Sequence, residues 1–176
     1  SMHHFFLIFS AVLLAVWPSF GSACTGIKLI AKDGSAVHGR TLEFGIKVDT
    51  SVVVIPENYS MIGTTTKGKG LEYKTKYAAV GMICFDKLAI MDGMNEKGLS
   101  IGTFYFPGYA RYTSTTDANQ SKSLSPIEFP SWILTQCATL DEVKEGLKDV
   151  YISPVVVSAW GDTPPPFHYI VYDKNG

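Results

Sequence analysis

The sequence predicts an α+β fold, and three observations carry that expectation. Short β-branched and aromatic runs alternate with turn residues over residues 24–106, two segments with helical spacing and capping residues occupy 125–150, and strand-like runs return over 155–172. Strands, then helices, then strands again imply helices packed on an antiparallel sheet.

Residues 5–17 (FFLIFSAVLLAVW) carry no charge. That is the length of a secretory h-region and too short to span a bilayer. Pro18 breaks the run, and Gly21-Ser22-Ala23 puts small residues where a signal peptidase accommodates them. Residues 1–23 therefore read as a signal peptide, with Cys24 first after cleavage and Ser1, ahead of Met2, a remnant of expression. A leader ending at cysteine also admits lipidation. Lipoprotein processing favours a larger aliphatic residue where Gly21 stands, so simple export, periplasmic or secreted, is the expectation.

Residues 24–31 and 35–44 flank the tight-turn triplet Lys32-Asp33-Gly34 and read as a hairpin. Residues 52–55 are a β-branched run stopped by Pro56, and residues 63–70, rich in Thr, Lys and Gly, read as an exposed loop. Three runs, 77–85, 88–91 and 99–106, alternate with Asp86-Lys87 and Asn95-Glu96-Lys97-Gly98, as a meander would. After Tyr109 a polar stretch leads to Ser125, read as the N-cap of a helix with Pro126 at its first position, Phe129, Trp132, Ile133 and Leu134 on its apolar side and a bend at Pro130. Thr139 caps a second helix over 140–150, with Glu142 completing a capping box and Leu140, Val143, Leu147 and Val150 on one face. Residues 155–159 and 167–172 return to strand. No repeat or linker interrupts residues 24–176, which read as one domain.

Lys and Arg number 15 against 16 Asp and Glu, a net charge of −1, so the chain lacks the electrostatic footprint of a nucleic-acid binder. With 46% hydrophobic and 18% charged residues it is not a disordered chain. Its 3 cysteines supply neither a disulfide framework nor the paired spacing of a zinc site. Cys84 and Cys137 fit either a disulfide or two buried thiols. His38 and His168 read as structural strand residues, and Phe129, Trp132 and Trp160 as core.

Cleavage after Ala23 would place a thiol and a free α-amine on one residue, Cys24. An α-amine titrates at about 7.7 to 8 and is partly neutral at neutral pH, as a general base must be, whereas a lysine at about 10.4 is nearly all protonated. A thiol, at about 8.5 when free, becomes a better nucleophile beside a fixed cation. Pairing of 35–44 with the strand from Cys24 would bring Arg40 back as that cation and Glu43 as a carboxylate that orients the amine. On the residues alone, a solvated Arg40–Glu43 ion pair worth under about 1 kcal/mol is the competing reading.

Cys24-Thr25-Gly26, Lys32-Asp33-Gly34 and Gly39-Arg40-Thr41-Leu42-Glu43 together resemble the opening of the choloylglycine hydrolase and penicillin V acylase family. Matches continue in order through Lys76-Tyr77-Ala78, Gly81-Met82, Asp92-Gly93-Met94-Asn95-Glu96-Lys97-Gly98-Leu99, Phe106-Pro107-Gly108-Tyr109-Ala110 and Asp141-Glu142-Val143-Lys144-Glu145. The resemblance covers essentially all of 24–176. It implies an αββα N-terminal nucleophile hydrolase sandwich, two antiparallel sheets between helical layers, that cleaves linear amide C–N bonds without metal or cofactor. Cys24 matches the nucleophile and Arg40 the arginine beside it. Glu43 stands where relatives usually carry aspartate, one methylene shorter. Tyr105 stands where bile salt hydrolases carry asparagine and penicillin V acylases tyrosine. It leans the expected substrate toward phenoxyacyl, other aromatic or fatty acyl chains, and its peptide N–H is an expected oxyanion donor. Leu42 and Phe85 match positions that line the acyl pocket, where apolar side chains suit an acyl chain.

In relatives the second oxyanion donor, an asparagine, and a further arginine lie in a segment beyond the position of Gly176. The resemblance thus implies a sandwich truncated at its C-terminus and an inactive 176-residue chain. Retained residues 1–23 would also turn the nitrogen of Cys24 into an amide, which has no basic lone pair. The expected partners are a small-molecule N-acyl amide and, as in relatives, further copies in a homotetramer. Nucleic acid is not expected, nor is stable membrane association once the leader is removed. A lipid-anchored envelope protein without turnover and an acylase of acyl-homoserine lactones are the alternatives.

Overall fold

The computed structural model describes residues 24–43, 47–84 and 88–175. The first hairpin, β1 (Gly26–Ile30) and β2 (Ala36–Arg40), turns where the sequence predicts, with Asp33 Oδ1 accepting from the Ser35 amide and hydroxyl at 2.9 and 2.7 Å. Next come β3 (Thr50–Ile55), β4 (Ser60–Thr65), β5 (Gly68–Lys74), β6 (Ala79–Cys84), β7 (Ile90–Asn95) and β8 (Ser100–Tyr105). A two-residue β9 (Ser123–Leu124) precedes helices α1 (Phe129–Gln136) and α2 (Leu140–Gly146), and β10 (Tyr151–Ile152) and β11 (Phe167–Tyr172) follow. The central sheet is antiparallel, in the order β11-β8-β7-β6-β3, and contains the predicted meander β6-β7-β8.

Alternation along these strands gives the sheet two different faces. One face carries Ile55, Ala79, Ile90 and Ile101, which pack with Leu124, Ile133, Leu134 and Val143 from the helical side into the principal core. The other face carries Val52, Val54, Val80, Asp92, Met94 and Phe104, as the registers Val52↔Met82, Val80↔Met94 and Asp92↔Gly102 require. The β1–β2 hairpin lies over the β8 end of that second face. Its approach is close: a Cβ on Gly26 would stand 2.7 Å from Phe104 Cζ. The layers thus run helices, sheet, hairpin.

Asn95 fastens the helical layer to the sheet. It is buried, its Nδ2 donates to the carbonyls of Leu134 and Cys137 at 2.8 and 2.7 Å, and its Oδ1 accepts from the amides of Lys97 and Leu99 at 3.0 and 2.9 Å. All four of its hydrogen-bonding sites are used. The same side chain therefore closes the β7–β8 turn and satisfies carbonyls at the end of α1.

Several expectations need correction. Residues 63–70 are not a loop but most of the β4–β5 hairpin. Gly70 marks a close approach, since a Cβ there would collide with the Ser123 carbonyl oxygen. α1 starts at Phe129, not at Pro126, and Pro130 sits in its first turn, where a proline is tolerated without a kink. Glu128 Oε2 reaches back to the Ser125 amide at 2.8 Å and to the Thr64 amide at 2.8 Å, holding 125–128 as a turn tied to β4. Thr139 does cap α2, its Oγ1 accepting from the Glu142 amide at 3.2 Å, but α2 ends at Gly146 rather than 150, and Glu142 Oε2 bonds the Ala138 amide. Residues 155–159 form no strand; a 3-10 turn, Ser158–Trp160, occupies their end. Among the described residues no helix is long and apolar enough to cross a membrane.

Candidate active site

Pairing of β1 with β2 sets Gly26 opposite Arg40, and the Thr41 amide donating to the Thr25 carbonyl at 2.9 Å extends the register one residue further. The Thr25 amide donates to Thr41 Oγ1 at 3.0 Å, which clamps the chain just after Cys24. Continuation of that register puts Cys24 opposite Leu42. Alternation then leaves Cys24, Gly26, His38, Arg40 and Leu42 on one side of the hairpin, facing the sheet, with Cys24 and Arg40 cross-strand diagonal neighbours. A tight hairpin turn thus brings together two side chains distant in sequence: a half-buried thiol and a guanidinium.

Arg40 is held on three sides. Its Nη1 donates to Asp92 Oδ2 at 2.9 Å, its Nη2 donates to the Thr103 carbonyl at 2.7 Å, and its guanidinium carbon lies 4.5 Å from the centre of the Phe104 ring. Only 8% of its side chain is exposed. Burial pushes the Asp92 carboxyl above its ordinary value, and the Arg40 charge and hydrogen bond pull it back in part. His38, next but one to Arg40 on β2, is lowered by burial, against the pull of Asp92. Its ring centroid lies 4.5 Å from that of Tyr172. His168 stacks at 5.4 Å on Phe104 and meets the edge of Phe106 at 4.7 Å. Both histidines are strand residues packed among rings, as the sequence suggests.

At the open end of the hairpin, Cys24, Leu42, Cys84, Met91, Tyr105 and Phe167 line a small apolar cavity of about 20 Å³. That volume holds about one water. Leu42 and Tyr105 line this cavity together with Cys24, the candidate nucleophile; Tyr105 ends β8 opposite Phe167 of β11. Glu43 is exposed, three positions past Arg40. Phe85 lies outside the described residues. Trp160, read as core from the sequence, also lines the cavity and is half-buried. Cys84 and Cys137 are free thiols in separate clusters, Cys84 beside Met91 and Phe167 and Cys137 in the principal core.

Asp92 and the Thr103 carbonyl are the parts of the site that residue patterns missed. One signal pointed to Asp92: a carboxylate following Ile90 and Met91 on an apolar strand must find a cation or stay exposed. Its partner lies 52 positions away in sequence. Among the described residues no group of His, Cys, Asp or Glu side chains is placed to hold a metal ion.

Comparison with known proteins gives the family and the fold. The model of the linear amide C–N hydrolases, choloylglycine hydrolase family, matches residues 24–176. A bile salt hydrolase/transferase of Clostridium perfringens is 35% identical over 156 residues, covering 87% of this chain and 46% of that protein. One from Bifidobacterium longum is 28% identical over 151 residues, covering 85% and 46%. A crystal structure of the conjugated bile acid hydrolase from Clostridium perfringens superposes with a TM-score of 0.71 at 31% identity, over 88% of this chain and 46% of that one. Penicillin V acylase from Agrobacterium tumefaciens shares the fold at 20% identity, with a TM-score of 0.67 over 86% of this chain and 44% of its own. The chain spans about half the length of the relatives it matches. Its helix, sheet and hairpin layers are the part of the αββα N-terminal nucleophile hydrolase sandwich that these residues build. With a family match that runs from the candidate nucleophile to the last residue, and with motifs in register throughout, the chain belongs to the choloylglycine hydrolase family of linear amide C–N hydrolases.

Proposed function

We propose that this chain is the nucleophile-bearing part of an exported amidase, in which Cys24 becomes the first residue after loss of residues 1–23. The family match beginning at Cys24 carries the reading. The apolar lining that Cys24 shares with Leu42 and Tyr105 supports it: at about 20 Å³ the cavity has room only for the acyl atoms next to the carbonyl, which an apolar wall suits. In this mechanism the thiol proton passes to the residue's own α-amine and Sγ bonds to the amide carbonyl carbon. Collapse of the tetrahedral species breaks the C–N bond as the ammonium returns a proton to the departing amine. Water, deprotonated by the same amine, then cleaves the thioester and restores the thiol. Arg40 supplies fixed positive charge beside the thiol, Glu43 orients the amine, and the peptide N–H of Tyr105 is one oxyanion donor.

The substrate class is an N-acyl amide such as penicillin V or a conjugated bile salt, with Tyr105 favouring aromatic and fatty acyl groups. The test compares release from penicillin V, glycocholate and a long-chain acyl-homoserine lactone by a protein of the relatives' length that begins at Cys24. Turnover lost in Cys24→Ala is the expected result. With residues 1–23 attached, the 176-residue chain is expected to be silent, since its Cys24 nitrogen is an amide. Brisk amide cleavage by that blocked chain would overturn the mechanism. A diacylglyceryl adduct on Cys24 in the intact mass of membrane-extracted protein would favour an anchor over an enzyme.

A further inference from the structure

We propose that Asp92 is a positioning residue: it holds the Arg40 guanidinium in the one orientation in which its charge serves the Cys24 thiol. The proposal rests on the reading of Cys24 as nucleophile. Arg40 has a long side chain with many rotamers, and a guanidinium is useful to a thiol only if its charge stays in place. Two of its contacts fix position without fixing orientation. A single hydrogen bond to the Thr103 carbonyl leaves rotation about that bond, and a ring face such as Phe104 accepts the cation at many angles. The bond from Nη1 to Asp92 Oδ2 at 2.9 Å supplies the second point that stops the rotation.

Asp92 is suited to this because it belongs to the sheet, not to the hairpin. It lies on β7, where the strands pair it with Met82 of β6 on one side and Gly102 of β8 on the other. Arg40 belongs to the hairpin layer that carries Cys24. The ion pair therefore registers the nucleophile's layer against the central sheet. Its carboxylate is only 26% exposed, so the pair sits where solvent screens it weakly.

The two roles open to Asp92 predict effects of opposite sign. A carboxylate acting only as a nearby negative charge disfavours the thiolate, so its removal would speed Cys24 alkylation. A carboxylate that orients Arg40 favours the thiolate through it, so its removal slows alkylation. The experiment is the rate of Cys24 modification by iodoacetamide at fixed neutral pH, read by peptide mass spectrometry on the full 176-residue chain. Arg40→Gln is expected to slow the reaction about tenfold, because the fixed cation beside the thiol is lost. Asp92→Ala is expected to slow it by a similar factor, and Asp92→Asn, which keeps an acceptor of the same shape, by less. In the Arg40→Gln background Asp92→Ala is expected to add nothing, because its effect runs through Arg40. Asp149→Asn, at an exposed pair with Lys122, serves as the control that leaves the rate unchanged.

Faster or unchanged alkylation in Asp92→Ala, or additive effects in the double variant, would overturn the proposal. Should Asp92→Ala fail to fold, Asp92→Asn and its double with Arg40→Gln decide the question in the same way. Amide turnover does not enter, so this coupling can fail while the hydrolase reading stands, and the reverse.

Discussion

Of the three thiols, Cys24 alone among the described residues is open to solvent; Cys84 and Cys137 are 2% and 3% exposed. Burial pushes the Cys137 thiol up to about 11 and raises Cys84 as well. Iodoacetamide near neutral pH should therefore label Cys24 and spare the other two until the chain unfolds. Peptide mapping with and without denaturant checks this, and native labelling of Cys137 would contradict the packing. The histidines make a second prediction. Burial lowers both His38 and His168 below 6.5, so folding favours their neutral forms. That contribution is complete above about 6.5 and is lost as pH falls through the depressed folded values. Thermal midpoints should drop between about pH 7.5 and pH 5.5, and less so in a His38→Gln, His168→Gln double variant. An equal drop in both proteins would assign the effect elsewhere. Asp92, whose carboxyl burial raises, works in the opposite sense: its contribution grows as pH falls. Cys24, Arg40, Leu42 and Tyr105 could be picked from the chain because motif and turn spacing put them together. Asp92 could not be assigned its role, since nothing local says which cation a strand carboxylate will meet.

Elements were legible where local chemistry decides them. The Asp33 turn, the Thr139 cap and the β6-β7-β8 meander follow from residues within a few positions of each other. Boundaries set by distant partners were not. The start of α1 depends on Glu128 binding Thr64 of β4, and β4–β5 is recognisable as a hairpin only once Gly63 and Gly70 are seen against Ser123 and Leu124. The absent strand at 155–159 has the same lesson: β-branched residues fit a ladder only if a ladder is within reach. Asn95 gives the test at this scale. Asn95→Ala would strand two buried carbonyls and two amides, at a cost of about 2 to 4 kcal/mol in chemical denaturation. Asn95→Asp, which turns a carboxylate oxygen toward the Leu134 and Cys137 carbonyls, should be worse. A loss below about 1 kcal/mol for either variant would mean that the bonds in question contribute little.

For the whole molecule, the asymmetry of the sheet is the governing fact. One face is sealed by α1 and α2, whereas among the described residues the other is covered by the β1–β2 hairpin only toward β8, leaving Val52 and Val54 75% and 69% exposed on the edge strand β3. Contiguous apolar surface on an unpaired edge invites association. The 176-residue chain should therefore grow in apparent mass with concentration during sedimentation, and a Val52→Lys, Val54→Thr variant should not. Identical behaviour of the two proteins would place the contact on another surface. Across the covered part, the hairpin rests on the sheet at Gly26, and there a missing methyl sets the height of everything it carries. Phe104 is 1% exposed and pinned between Arg40 and His168, so it has nowhere to swing if residue 26 grows. Gly26→Ala would have to lift the strand itself, tilting the thiol two residues upstream away from its charged neighbour. A single carbon, added to a residue that touches no reactant, is thus expected to blunt the reagent sensitivity of Cys24 while leaving the folded core unaltered.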